Sequence, residues 1–465
     1  MHPMLPPRTT LAAALAVALV TALPAHAQQV VADGDQQTPA AGDYTTTEPV
    51  EPGNPAGYAF LAINGGQIQP SGAVNLRTEG LRAAAARADG IGSFVLLKDA
   101  TVATLGDGAA GLSSANGGYV QAGDISIETS GAAANGAEAL DGRLALERAH
   151  IVTRGALSHG LSVAGGDAQI FDSVIEIAGS QANGLDINGG TLLAERVRID
   201  IAGSGTGLWA AGSSTATLRS VQINGTGSGA SGALVALGSK AVLEDVDIAL
   251  THDRSGTGLL VGGELEMRGG SVHAGGANAS ALSFATSGGG KATLDGVDLS
   301  GHFGVNLTEG SELTLRNSHL QSQSIGIDIN QRDGTATVSD SSITTRGGVG
   351  IRMLDNGELE LTGSQVTSDG LHGQAVSVLG GKAHIASSAL HTLGESGHGI
   401  FAEASIGLTP VVAVENTRVL TEGEMALGVI ARSGAVVSLA DSEIRTTGRE
   451  SHGVLTGGDG EMSLT

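Results

Sequence analysis

The stretch that decides the fold is AVLEDVDI, at residues 241–248. It ends on a branched aliphatic residue, Ile248, and carries a second aliphatic residue five positions earlier. An aliphatic residue like Ile248 recurs along the chain. From Leu76 to Ile444, sixteen such residues span 368 positions in fifteen steps, so the mean step is about 24.5 residues. We call them the anchor column: Leu76, Val102, Ile127, Ile151, Ile175, Ile199, Ile223, Ile248, Val272, Leu299, Leu320, Ile343, Val366, Leu390, Val419 and Ile444.

A second apolar column lies five positions before the anchors. The residue directly before each anchor is mostly polar, and this alternation is typical of a strand with one solvated face. Side chains alternate with a period of two along a strand, so an offset of five cannot place both columns on one face, and we predict a bend between them. Fifteen of the sixteen repeats carry this second column, with Ser71 as the exception: Leu97, Ala122, Leu146, Ile170, Ala194, Leu218, Leu243, Met267, Leu294, Leu315, Val338, Leu361, Ile385, Val414 and Leu439.

A third column follows the anchors after a glycine-rich stretch, and a glycine usually stands directly before it. We attribute these glycines to turns, where glycine adopts backbone angles that other residues resist. Each repeat is therefore predicted as three short strands, separated by one bend and two turns. The third column comprises Leu112, Leu161, Leu185, Leu208, Leu259, Leu282, Val305, Ile327, Ile351, Val376, Ile400, Val429 and Val454.

One repeat of this kind cannot bury its own apolar side chains, whereas stacking the next coil at a strand spacing of about 4.8 Å buries them in continuous columns. The sequence therefore predicts an all-β fold, a right-handed single-stranded parallel β-helix (solenoid) of about 16 coils over residues 61–465. Leucine-rich repeats have a similar period but need an asparagine or cysteine column, which this sequence lacks. The 74 glycines disfavour a helical solenoid.

The first residues are interpreted separately from the fold. Arg8 precedes an apolar run at 11–23, and Ala25 and Ala27 stand at the two positions that a signal peptidase reads. We predict a secretory signal peptide at 1–27, cleaved after Ala27. A membrane anchor is the alternative, but the run has about 13 residues where a spanning helix needs about 20. Residues 28–60 show no period, and we expect a flexible mature N-terminus there.

The composition excludes several classes of protein. The chain has 24 Lys and Arg against 47 Asp and Glu, a formal net charge of −23. Binding to nucleic acid requires basic patches that so acidic a chain lacks, so we predict no nucleic-acid partner. The chain has no cysteine, which rules out disulfides and thiolate metal sites. We predict no cofactor.

The position two before the anchor is aliphatic in most repeats of the first half and carries a hydroxyl in the second half. Since this position shares the anchor's inward face, we predict that the hydroxyls form a ladder of hydrogen bonds along the rod. A nucleophilic serine would need a base and an orienting group, which no pattern here supplies. The ladder comprises Ser318, Ser341, Ser364, Ser388, Thr417 and Ser442.

Three histidines, His159, His398 and His452, stand two positions before the third column. His398 and His452 are two coils apart, with Leu427 at the equivalent position between them, so about 9 to 10 Å separates their backbones. Zinc ligands converge within about 2 Å of one ion. We therefore predict solvated or turn-packing histidines and no metal site.

Secreted β-helices include polysaccharide lyases and hydrolases, and Asp247 and Asp298 are the best candidates for such chemistry. They share an outward column two coils apart, with Ser271 between them, and glycoside hydrolysis uses two carboxyls about 5 to 9.5 Å apart. The chain has few aromatic residues to stack on sugars, and its one tryptophan, Trp209, does not make a platform. We predict no catalytic residues and keep a secreted carbohydrate-active enzyme as the alternative function.

The signal peptide, the absence of cysteine and the repeated coils with stretches such as GLWAAG at 207–212 resemble the passenger region of Gram-negative autotransporters with a pertactin-like β-helix. The resemblance covers residues 61–465. It implies export through the inner membrane, passage across the outer membrane through a C-terminal barrel of the same, longer chain, and display at the cell surface or release for adhesion or virulence. Since no barrel strands occur and residues 462–465 open another coil, we expect a fragment that lacks its cap and barrel.

The leading functional prediction is therefore a non-enzymatic surface protein that binds along a long rigid face. Its partner would be a host or cell-surface ligand, whose identity the sequence does not give.

Overall fold

The computed structural model describes residues 29–52, 55–286, 288–405 and 407–465. The predicted signal peptide and its cleavage residues, Ala25 and Ala27, lie outside the described residues. Every regular element in the described part is a β-strand, numbered β1 to β48 in chain order. None of the described residues forms a helix with the length and hydropathy of a transmembrane segment.

The strands stack into three parallel sheets, and each coil contributes in turn to the third sheet, the second sheet and the anchor sheet. The third sheet contains β1 (Val30–Asp33), β4 (Phe60–Ile63), β7 (Ala86–Asp89), β9 (Leu112–Ala115), β11 (Ala137–Leu140), β13 (Leu161–Ala164), β16 (Leu185–Asn188), β19 (Thr206–Ala211), β22 (Ser231–Val235), β24 (Leu259–Val261), β26 (Ser280–Phe284), β29 (Phe303–Leu307), β32 (Ile327–Ile329), β35 (Ile351–Met353), β38 (Gln374–Val378), β41 (His398–Glu403), β44 (Leu427–Arg432) and β47 (His452–Gly457).

Five long strands run through both other sheets: β8 (Phe94–Thr104), β10 (Tyr119–Thr129), β12 (Arg143–Thr153), β23 (Lys240–Leu250) and β25 (Glu264–Ala274). The second sheet also contains β2 (Gln36–Gln37), β5 (Gln67–Ile68), β14 (Asp167–Phe171), β17 (Thr191–Glu195), β20 (Thr215–Arg219), β27 (Lys291–Asp295), β30 (Glu312–Arg316), β33 (Thr335–Ser339), β36 (Glu358–Thr362), β39 (Lys382–Ala386), β42 (Val411–Glu415), β45 (Val436–Ala440) and β48 (Glu461–Leu464). The anchor sheet also contains β3 (Gly42–Thr46), β6 (Val74–Thr78), β15 (Val174–Ile177), β18 (Arg198–Ile201), β21 (Gln222–Gly225), β28 (Asp298–Gly301), β31 (His319–Ser322), β34 (Ser342–Thr345), β37 (Gln365–Ser368), β40 (Ala389–Thr392), β43 (Arg418–Thr421) and β46 (Glu443–Thr446).

The register confirms the stacking that the repeats predict. Ile199 lies opposite Ile223, and Ile223 lies opposite Ile248, so equivalent residues of successive coils lie directly above one another. All three side chains are fully or almost fully buried. The protein is thus a right-handed parallel β-helix, and the apolar columns form one continuous core.

The prediction of a flexible segment at 28–60 is wrong for its stranded part. Strand β1 pairs with β4, and Tyr44 in β3 lies opposite Leu76 as a seventeenth anchor. The ring of Tyr44 packs edge-on against Phe60, with 4.9 Å between ring centroids. The period was missed because this first coil is polar, with Gln36 and Gln37 in its second-sheet strand. The β-helix therefore has about 17 turns.

The predicted bend occurs at one residue per coil, three positions before the anchor, in the left-handed region of backbone space. Its φ lies between 45° and 67° in all fifteen coils from Val102 onward. This angle turns the chain and lets both apolar columns face inward despite their odd offset. The bend residues are Asp99, Asp124, Arg148, Asp172, Arg196, Ser220, Asp245, Gly269, Gly296, Asn317, Asp340, Gly363, Ser387, Asn416 and Asp441.

The predicted hydroxyl ladder is present directly after this bend. The backbone N–H of Ser318 donates to the hydroxyl of Ser341, and the N–H of Ser341 donates to that of Ser364, at 3.1 Å in both cases. The pattern continues through Ser388 and Thr417 to Ser442. Each hydroxyl also donates to a carbonyl two residues earlier in its own coil. The serines therefore complete hydrogen bonding between coils.

The glycines before the third column were predicted to supply turn angles, but close approach between coils explains them instead. They lie within a strand of the third sheet or directly before one, and none has a positive φ. A Cβ atom at these positions would lie 2.2 to 2.8 Å from the carbonyl oxygen of the residue stacked in the next coil, so the interior admits only hydrogen there. The residues are Gly111, Gly136, Gly160, Gly184, Gly207, Gly232, Gly258, Gly304, Gly326, Gly350, Gly399 and Gly428.

We predict that Gly184→Ala destabilises the middle of the rod by about 1 to 3 kcal/mol, the usual cost of overpacking. The new methyl carbon would lie 2.4 Å from Cγ2 of Ile199 and 2.8 Å from the Gly207 oxygen. Gly453→Ala in the same column is the control, since its methyl carbon would lie 3.9 Å from Cγ2 of Ile444. Denaturant unfolding followed by circular dichroism measures both variants. Equal midpoints would contradict the steric explanation.

Candidate functional site

An open groove of about 710 Å³ lies on the outer face of the second sheet. It crosses five successive coils, from Gln69 to Phe171. Four coil spacings make it about 19 Å long. We call it the N-terminal groove.

Small residues form the floor of the N-terminal groove, and larger ones form its walls. Gly123 and Ala145 lie on the floor, while Tyr119 and Phe171 line opposite sides. Phe94 packs against Tyr119, with 5.2 Å between ring centroids. The chain has only ten Phe, Tyr and Trp residues, so three on one outer face is a marked concentration. The repeat does not predict these partly exposed rings, because it sets the residue type only at inward positions and they occupy outward ones.

Three of the five charged residues of the N-terminal groove bind one another, and the other two, Lys98 and Asp99, are exposed. Arg148 contacts Oδ1 of Asp124 through Nε at 2.6 Å and pairs with Glu147 through Nη1. The hydrogen bond from Arg148 is the main cause that lowers the pKa of Asp124. The side-chain amides of Gln69, Gln121 and Gln169 are exposed along the same groove. Neutral amides are therefore exposed in the groove beside the charged ends of Lys98 and Asp99.

A second candidate surface lies on the outer face of the third sheet, where a polar network joins consecutive coils. Arg87 pairs with Asp89 at 2.8 Å and donates from Nη1 to the hydroxyl of Ser113 at 2.9 Å. Ser113 donates to Oε1 of Glu138 at 2.9 Å, and Asn135 donates to Oε2 at 3.3 Å. Side-chain hydrogen bonds thus link β7 to β9 and β9 to β11.

Burial within this network changes the acidity of its members. Burial raises the pKa of Glu138, against hydrogen bonds from Ser113 and Asn135 and the charge of Arg87, which lower it. For Asp89 the balance is reversed. Burial acts to raise its pKa, but hydrogen bonds from Asn116 and Arg87 and the charge of Arg87 lower it overall. The pKa values of the two carboxyls in the network are therefore shifted in opposite directions.

The same outer face becomes apolar further along the rod. Trp209 lies opposite Leu234, and Leu234 lies opposite Leu260, on three adjacent strands. Trp209 is 37% exposed, and both leucines are partly exposed. Asp186 is the neighbour of Trp209 on the preceding coil. We call Trp209, Leu234 and Leu260 the apolar patch. The sequence alone shows Trp209 as an isolated aromatic residue, because its neighbours belong to other coils and only the strand register identifies them.

The histidines act as hydrogen-bond acceptors between coils. The backbone N–H of Asn183 donates to Nδ1 of His159 at 3.0 Å. Leu427 donates in the same way to Nδ1 of His398 at 3.2 Å. As predicted, Leu427 separates His398 from His452 in the column. Among the described residues, no three His, Cys, Asp or Glu side chains come together in a group that could hold a metal ion.

The two aspartates considered for catalysis lie on an exposed outer column. Ser271 separates Asp247 from Asp298 in the register, as predicted. The hydroxyl of Ser271 donates to Oδ1 of Asp247 at 2.7 Å, so that carboxylate has a structural partner. The next residue in the column after Asp298 is His319. Both aspartates are exposed side chains of a sheet surface.

The comparisons with known proteins agree with this architecture. A family model described as a right-handed beta helix region matches residues 206–390. A search of curated proteins found no match. The chain is similar in fold to one in the cryo-EM structure of the Vag8–C1 inhibitor complex, with 15% identity and a TM-score of 0.51 over 92% of this chain and 100% of that one.

Two further solved structures share less with the chain. A mutant of the periplasmic alginate epimerase AlgG has 9% identity and a TM-score of 0.33 over 70% of this chain and 77% of that one. The A-module of the mannuronan C-5 epimerase AlgE4 from Azotobacter vinelandii has 11% identity and a TM-score of 0.24, covering 86% and 91%.

We predict that acid weakens the two histidine contacts. Burial is the main cause that lowers the pKa of His159, and it also lowers that of His398, where Arg432 and His372 add to the effect. The folded state thus favours neutral imidazole, and the contacts stabilise the fold at a pH above the unfolded value of about 6.5. Below that value the unfolded chain binds more protons, and stability falls.

Amide hydrogen exchange of Asn183 and Leu427 measures this effect. Their protection should fall about fivefold from pH ~7.5 to ~5.5, relative to Thr206, because a hydrogen bond contributes about 1 kcal/mol. Thr206 donates to the non-titrating side chain of Asn183 at 3.1 Å and is the internal control. His159→Asn, which copies Asn135 and Asn183 of the adjacent coils, should remove the pH dependence at Asn183. The same pH dependence in that variant would exclude His159 as its cause.

Proposed function

We propose that this chain is an exported β-helix of the autotransporter-passenger kind, displayed at the cell surface, where it binds a host or cell-surface protein. The predicted signal peptide and the lack of cysteine support export, because a periplasmic disulfide would fix structure before passage across the outer membrane. The fold it shares with Vag8, whose structure was determined in a complex with C1 inhibitor, is in keeping with such a role.

The observation that carries the binding proposal is the apolar patch. Register places Trp209, Leu234 and Leu260 on three adjacent strands, so their side chains form one surface about 10 Å long. Exposed contiguous apolar surface with a tryptophan at its centre or edge is typical of protein-binding sites. The aspartate beside it, Asp186, supplies a polar rim.

A non-catalytic mode of action is part of the proposal. The interior is filled by the apolar columns and the hydroxyl ladder. Asp247 and Asp298 are exposed on an open sheet surface, and Ser271, which lies between them, donates a hydrogen bond to Asp247. Each coil is bonded to its neighbours along the whole strand, which gives a rigid rod suited to presenting a surface.

We expect beads coated with the purified chain to adhere to cultured epithelial cells through the apolar patch. Replacing a buried tryptophan anchor commonly costs 2 kcal/mol or more, so the paired change Trp209→Ser and Leu260→Ser should weaken adhesion about tenfold or more. Leu371→Ser removes another exposed leucine, 63% exposed in a turn outside the patch, and is the matched control. Prior trypsin treatment of the cells should abolish adhesion. Adhesion equal to that of uncoated beads would overturn the proposal.

We expect no turnover of uronic-acid polymers. Incubation with alginate or polygalacturonate should release neither unsaturated products, followed by ultraviolet absorbance, nor new reducing ends. If either product forms, and if Asp247→Asn or Asp298→Asn abolishes it, the chain is a carbohydrate-active enzyme, which is the alternative function predicted from the sequence.

A further inference from the structure

We infer that the N-terminal groove is a binding site for a neutral oligosaccharide, separate from the apolar patch and used without catalysis. The inference rests on the length of the groove, on its two aromatic walls, on its exposed amides and on its slightly negative net charge. It goes beyond the proposed protein partner, and it concerns a different sheet.

The dimensions of the groove suit an extended sugar chain. It crosses five coils and is about 19 Å long. The repeat of an extended β-linked sugar chain is close to the spacing between coils, so successive sugars would meet equivalent positions of successive strands. The small floor residues Gly123 and Ala145 leave room above the sheet for such a chain.

The walls offer the two kinds of contact that a sugar ring needs. Tyr119 and Phe171 are half-exposed rings that can cover the apolar C–H face of a pyranose. Tyr119 is held by Phe94 on one side, and its hydroxyl lies 3.4 Å from Oε1 of Gln121. Gln121 and Gln169 repeat at the same outward position two coils apart, where each amide can both donate to and accept from sugar hydroxyls.

The charges of the groove favour a neutral ligand. The guanidinium of Arg148 is bound to the carboxylates of Asp124 and Glu147. The other two charged residues of the groove are Lys98 and Asp99, so two basic side chains face three acidic ones and the groove has a net charge of −1. This charge and the −23 of the whole chain both repel an acidic sugar, whereas neutral hydroxyls meet no such repulsion.

The backbone under the groove favours a sugar over an extended peptide. A peptide that adds to a sheet needs unpaired N–H and C=O groups at a strand edge. Strands β10, β12 and β14 are the floor, and each is already paired on both sides by the coils next to it. The groove therefore offers side chains but no free strand edge.

A glycan array of neutral and acidic oligosaccharides, probed with the labelled full chain, tests the inference. The chain should bind neutral glycans of about four sugars, a length that matches five coils. Ala145→Trp, which fills the floor, should abolish binding. Ala413→Trp makes the same change at the equivalent position of a distant coil and should leave it intact, which controls for folding and for non-specific stickiness.

The aromatic walls are tested by calorimetry with the best neutral glycan from the array. Tyr119→Ala and Phe171→Ala should each weaken binding by about tenfold, as expected for loss of an aromatic anchor. Binding of acidic glycans alone, no glycan binding, or equal binding by Ala145→Trp and the wild type would each overturn the inference. The paired serine variant of the apolar patch should bind glycan normally, so failure here and failure of the proposed protein partner are distinguishable.

Discussion

The stacking of each coil on the next, in one register, is the constraint on which the rest of the structure depends. A single coil has a few apolar side chains and no core of its own, and it gains burial and hydrogen bonds only from its two neighbours. Residues such as Ile223 must therefore lie directly above their equivalents, and in twelve coils the residue before the third column is a glycine, where a Cβ atom would collide with the next coil. From Val102 onward, the residue three positions before each anchor has a left-handed backbone conformation. This bend lets the anchor column and the second column both face inward.

This constraint explains why the interior could be predicted from the sequence. Each inward position repeats its chemistry once per coil, so the anchors, the bend and the serine ladder all produce a periodic signal. The first coil lacks this periodic signal, because Gln37 occupies the position that Ile68 has in the next coil. The role of the glycines was mistaken because a sequence shows where glycine occurs and not which atom of another coil would collide with it.

The outer faces were far less predictable, for the opposite reason. An outward position has no equivalent that must match it, so its residues vary from coil to coil. Tyr119 and Phe171 occupy different offsets in coils two apart, and only the folded register shows that they face one groove. Likewise, Arg87, Ser113 and Glu138 are about 25 residues apart in sequence and form one hydrogen-bonded chain. A binding site on such a rod is therefore formed by residues from several coils.

The distribution of charge limits what these faces can bind. Many of the basic side chains bridge neighbouring coils, as Arg148 does with Asp124, Arg196 with Asp172 and Arg352 with Asp328. In the described part of the chain, twelve basic side chains pair with an acid of another coil, while the excess of 47 acidic over 24 basic residues leaves a surplus of negative charge at the surface. A partner that approaches from solution meets a field that repels polyanions and attracts basic or neutral surfaces. Two places interrupt this acidic surface: the N-terminal groove, with its amides and aromatic rings, and the apolar patch around Trp209. These two places would then determine which partners the chain selects.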